Sequence, residues 1–172
     1  GDLFRIVSRS GKDDISIGIG ELVESLDAIT ISYNSAINAV HYARLLGLSQ
    51  VLTSAEARNR ESLSLDDFNT LVEDLISSLK NAGKEETRSA LNAIFQYLET
   101  HYISPEQIDY YFAFLPSAIF SFVKNMDMAE PADALLPFRR DPFESLQHAK
   151  DFFMITLGSI EDQIRSRRGD LV

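Results

Sequence analysis

The chain has 172 residues, 45% of them hydrophobic and 24% charged, with a net charge of −10 and no cysteine. This length and apolar content suit one domain, residues 1–172, with a core of its own, and they exclude wholesale disorder. The acidic balance argues against a nucleic-acid partner, because phosphate recognition needs a basic surface. Missing cysteines exclude disulfides, thiolate metal sites and a cysteine nucleophile.

The sequence opens on Gly1 rather than Met, which reads as a segment trimmed from a longer product, with a signal or anchor removed upstream as one possibility. A cytoplasmic setting is otherwise favoured. The longest strongly apolar stretch, Tyr110 to Val123, is too short to cross a bilayer and contains Pro116, so membrane insertion is not expected.

Residues 1–19 read as an arm or a hairpin. Ile15, Ile17 and Ile19 alternate as in a strand, and Ser10-Gly11 before them is turn-like. Ile15 and Ile19 also begin a heptad that continues through Leu22, Leu26, Ile29, Tyr33, Ala36, Val40, Ala43 and Gly47. Such spacing predicts a long helix over about 20–46 whose seam packs on other helices, with Gly47 as its terminator. Residues 53–62 are expected to hold a short helical turn.

Ser64-Leu65-Asp66-Asp67 has capping-box spacing and opens a predicted helix over about 65–82. Another follows almost at once, over about 85–102, so the two should form an antiparallel hairpin. Ser104-Pro105-Glu106-Gln107 starts a fourth, over about 105–126, with proline at the favoured first position. A loop over 127–140, holding Pro131 and Pro137, precedes Asp141-Pro142-Phe143-Glu144 and a last helix over about 142–167. The fold class is therefore all-α: a five-helix bundle, mostly antiparallel, with an extended N-terminal arm and one long proline-containing connection before the last helix.

Catalytic signatures are wanting. None of the three histidines has a glutamate three residues before it, as a di-iron bundle requires. Glu144, His148 and Asp151 share one helix face, but no second element supplies ligands, so no metal or other cofactor is assigned. Gly18-Ile19-Gly20 lacks the βαβ context of a dinucleotide loop. Asp66 and Asp67 are better explained by capping than by magnesium. No catalytic residue is nominated, and the chain does not read as an enzyme.

The 105–126 helix is apolar nearly all round, and Pro116 should kink it. Tyr111, Phe112, Phe114, Pro116 and Phe120 are therefore candidate ligand-binding residues, walling a pocket near the kink. Leu135, Leu136, Phe138, Arg139 and Arg140, in the long loop, are candidate partner-binding residues. The function expected is a non-enzymatic protein-interaction module of adaptor, regulatory or immunity type, which binds another protein or a second copy of itself. The alternative is a sensor for a small apolar ligand.

Overall fold

The computed structural model describes residues 15–47, 51–81, 83–103, 105–126 and 145–169. It is mostly helical, with six α-helices and one two-stranded sheet among the described residues. In chain order these are β1 (Ile17–Ile19), a 3-10 turn (Leu26–Ala28), α1 (Ile29–Leu45), β2 (Val51–Thr53), α2 (Ser54–Arg58), α3 (Leu65–Asn81), α4 (Lys84–Thr100), α5 (Pro105–Asn125) and α6 (Leu146–Gly169).

The largest core is built by α3 to α6. Phe68 and Leu75 of α3 meet Leu91, Ile94 and Phe95 of α4, Leu115 and Ile119 of α5, and Phe153, Leu157 and Ile160 of α6. Within each set the residues lie three, four or seven positions from another member, the spacings that put side chains on one helical face. Ring contacts bind the layers together: Phe68 lies edge-on to Tyr111 with centroids 4.6 Å apart, and Phe95 meets Phe153 at 6.2 Å. Lys150, a charge within the α6 seam, is only half-buried.

The start of α3 shows why its acids sit where they do. Ser64 Oγ accepts a long hydrogen bond from the Asp67 amide at 3.4 Å. Asp67 does not reach back to complete the capping box. Its carboxylate instead accepts from the Tyr97 hydroxyl at 3.3 Å, and that hydroxyl accepts from the Ser64 amide at 3.0 Å. Tyr97 of α4 thus stands in for the reciprocal half of the cap and pins α4 to the α3 terminus.

The N-terminal region departs from a single long helix. Regular helix begins at Ile29, not near residue 20. Ile17–Ile19 is a strand, paired in parallel with Val51–Thr53 in the register Ile17 to Val51, Gly18 to Leu52 and Ile19 to Thr53. This strand crosses α1 so closely that a methyl on Gly18 would overlap the Ala36 carbonyl oxygen, and one on Gly20 the Ser32 carbonyl oxygen. The two glycines thus let β1 and the residue that follows it lie on the backbone of α1. At the other end Gly47 takes φ 66°, the left-handed conformation that stops α1.

A smaller core joins α1 to β2 and α2. It contains Tyr42, Ala43, Leu52 and Ala57, with Tyr102 and Leu46 packed beside it. The Tyr42 hydroxyl donates to the His101 carbonyl at 2.9 Å, and the Arg60 guanidinium sits 5.4 Å from the centre of its ring. Thr53 caps α2: its hydroxyl accepts from the Glu56 amide at 3.1 Å, while the Glu56 carboxylate accepts from the Thr53 amide at 2.8 Å. No helix among the described residues is long and apolar enough to cross a membrane.

Candidate binding surfaces

The heptad of the N-terminal region divides in two. Its later half does pack: Ala43 is fully buried, and Ala36 and Val40 lie under β1. Its earlier half faces outward. Leu22 is 98% exposed, Leu26 84%, Ile29 58% and Tyr33 64%. Leu26, Ile29 and Tyr33 are three and four residues apart across the 3-10 turn and the first turns of α1, so they share one side. Leu22 precedes them in the connecting chain, and Ile19 and Ile31 add further exposed apolar surface nearby in sequence. Leu65, Tyr110 and Ile155, by contrast, are exposed apolar residues far from this run in the sequence.

Charge is arranged unevenly around this face. Glu21 forms an ion pair with Arg58 of α2, tying the connecting chain to the smaller core. The Glu21 amide donates to Ser35 Oγ at 2.8 Å, and Ser35 Oγ donates to the Ser32 carbonyl at 2.9 Å. These contacts hold Glu21 against α1 and leave Leu22, beside it, exposed. A cavity of about 350 Å³ opens beside them, bordered by Glu21, Asn34, Asn38, Ser54, Arg58 and Tyr102.

A second concavity lies between α3 and α5. It measures about 390 Å³, with Val72, Ile76, Phe114 and Ala118 as apolar walls and Asn69, Glu73, Ser77 and Lys80 at its edges. Phe114 and Ala118 flank Pro116, and α5 continues through that proline from Pro105 to Asn125. Of the five aromatic-region residues expected to line a pocket, Phe114 borders this groove. Tyr111 is buried against Phe68, and Pro116 is buried too. Phe112 and Phe120 pack half-buried against the core. Tyr110, which the sequence reading left aside, stacks on Phe114 with centroids 5.7 Å apart.

The loop candidates Leu135, Leu136, Phe138, Arg139 and Arg140 lie outside the described residues, as does Glu144. On α6, Asp151 accepts a hydrogen bond from Gln147 at 2.8 Å, and the His148 amide donates to Ser145 Oγ at 3.2 Å.

Among the described residues, three tyrosines and two carboxylates are clearly perturbed. Burial pushes the Tyr42 hydroxyl above the usual tyrosine range, against the opposing pull of Arg60. Burial does the same to Tyr97 and Tyr111. Glu56 is held below the usual carboxylate range by the Thr53 amide and then by its hydroxyl, and Asp162 by a hydrogen bond to Lys84 at 2.7 Å. All five shifts follow from packing, capping or pairing between helices.

Comparison with protein-family models, with curated proteins and with solved structures returns no match.

Proposed function

We propose that this chain is a non-enzymatic interaction module, a bundle of mostly antiparallel helices that binds another protein or a second copy of itself through the apolar face at the start of α1. The observation that carries this reading is the exposure of Leu22, Leu26, Ile29 and Tyr33 in a chain that elsewhere buries its apolar seams. Apolar side chains left exposed together on one side of a helix are a mark of an interaction site.

A photo-crosslinking amino acid at Leu22, compared with one at exposed Ser117 on α5, tests the reading in the organism that makes the protein. A product specific to Leu22 and lost in an Ile29→Ser variant is expected. Equal products at both positions, or none at Leu22, would remove the face as a docking surface.

A second reading, a sensor for a small apolar ligand, is favoured by the groove between α3 and α5. Its volume of about 390 Å³ falls within the range of ordinary ligand sites, and it adjoins the Pro116 turn of α5. Filling it with Ala118→Leu should abolish binding of any such ligand while leaving contacts at Leu22 intact.

A further inference from the structure

The rim of the apolar face carries information about what docks there; the step taken here rests on the reading that the face is a docking surface. Between Ile15 and Ala43 the sequence contains no lysine and no arginine, while Glu21, Glu24 and Asp27 fall among the exposed apolar residues. Glu21 is matched internally by Arg58. Glu24 and Asp27 are exposed, and among the described residues no ion pair involves either of them.

A surface that is apolar at its centre and of one sign at its rim selects by charge as well as by shape. Apolar contact supplies most of the affinity, and rim charges set the rate of encounter and reject partners of like sign. A second copy docking through the same face would bring the same acids to the contact, with no lysine or arginine from 15–43 to answer them. Phosphate-bearing polymers and anionic lipid are repelled for the same reason, reinforced by the net charge of −10. Charge complementarity favours a basic occupant. We infer that the face takes a basic amphipathic segment of another protein: apolar side chains at helical spacing, flanked by lysine or arginine that meet Glu24 and Asp27.

Two synthetic peptides of about 18 residues serve as probes, a length that gives a helix of roughly 27 Å. Both carry leucine at the same positions, and one has lysine where the other has glutamate. Each is titrated into the full chain while backbone amide signals are followed by NMR. The lysine peptide should move the signals of residues 19–33 and bind more weakly as salt rises. Leu22→Ser with Leu26→Ser should weaken it. Glu24→Lys with Asp27→Lys should weaken it on the order of tenfold, the sum of two exposed pairs, and should transfer the preference to the glutamate peptide.

Equal binding of both peptides at 19–33 would overturn the charge selection and leave the docking surface standing. Binding of the lysine peptide that ignores Leu22→Ser and Leu26→Ser would mean adsorption elsewhere on an acidic protein, and would overturn the inference. Concentration-dependent movement of the same signals without any peptide would assign the face to a second copy instead. If neither peptide moves these signals and Leu22 yields no crosslink, the docking reading itself falls.

Discussion

Two buried hydroxyls illustrate how differently one atom is worth keeping. Tyr42 is 2% exposed and spends its hydroxyl on the His101 carbonyl, joining α1 to the end of α4. Tyr42→Phe should lower stability by about 1 kcal/mol, the net value of one such bond. Thr87 is equally buried in α4, yet its Oγ has no hydrogen-bond partner among the described residues. Thr87→Val keeps the shape and removes the unpaired group, so it should raise stability by about 1 kcal/mol, the lower end of the penalty for a buried unsatisfied hydroxyl. Denaturant titration of both variants reads the two opposite signs. Tyr42 also makes a statement about pH. Its folded pKa is raised, so its contribution is complete below the ordinary tyrosine value of about 10 and is lost as pH rises through the folded value. With no tryptophan in the chain, near-ultraviolet absorbance follows tyrosine ionisation directly. The wild type should lose stability faster than Tyr42→Phe in that alkaline window.

At the scale of elements, some of this fold is legible in the sequence and some is not. The apolar residues of α3, α4 and α6 recur at 3.6-residue spacing, and Phe68, Leu75, Leu91, Phe95, Phe153 and Ile160 are buried where that spacing puts them. The junction of β1 and α1 is different. The steps of three and four from Ile15 to Gly47 are satisfied by a strand, a connection and a helix in series, so periodicity alone merges them into one rod. The pairing of β1 with β2 joins residues more than thirty positions apart, as in Ile17 with Val51, and no local pattern reports it. Gly18 and Gly20, each costly inside a helix, keep the predicted helix from starting before about residue 20, but they do not reveal that β1 lies on the backbone of α1. Gly18→Ala should therefore be destabilising by roughly 1–3 kcal/mol, the usual penalty for overpacking. A melting temperature unchanged by that substitution would mean the strand does not lie on α1. The α2 cap offers a second check: Thr53→Ala should remove about 1 kcal/mol of helix stability. Glu56 and Asp162 have lowered folded pKa values, so their stabilising contributions are present above the ordinary carboxylate range and are lost as pH falls through the folded values. Carboxylate NMR titration should place both midpoints below those of unpaired acids.

Across the whole molecule, the same kind of apolar spacing serves two ends, and burial separates them. Leu75 in α3 is fully enclosed, while Leu22 and Leu26 are 98% and 84% exposed. Spacing puts these residues in one series expected to pack on other helices, whereas Leu22 and Leu26 are exposed, because a period identifies a face and not what covers it. The acids Glu21, Glu24 and Asp27 set this half of the series apart, since residues 28–43 contain no Asp or Glu. The difference in burial has a thermodynamic consequence. Leu75→Ala deletes apolar volume inside a packed core and should lower stability by about 2–5 kcal/mol. Leu22→Ser and Leu26→Ser together remove more apolar atoms, yet from water-facing positions, and should stay within about 0.5 kcal/mol of the wild type for each site. Guanidinium titration at matched protein concentrations, from low to high, compares the three chains directly. If the double serine variant lost as much stability as Leu75→Ala at low concentration, the face would already be covered within a single chain and could not be a docking surface. If its loss appeared only as the protein was concentrated, a second copy would be the cover. A neutral result at every concentration leaves those leucines available to a partner, which is the arrangement that the acidic rim at Glu24 and Asp27 is suited to exploit.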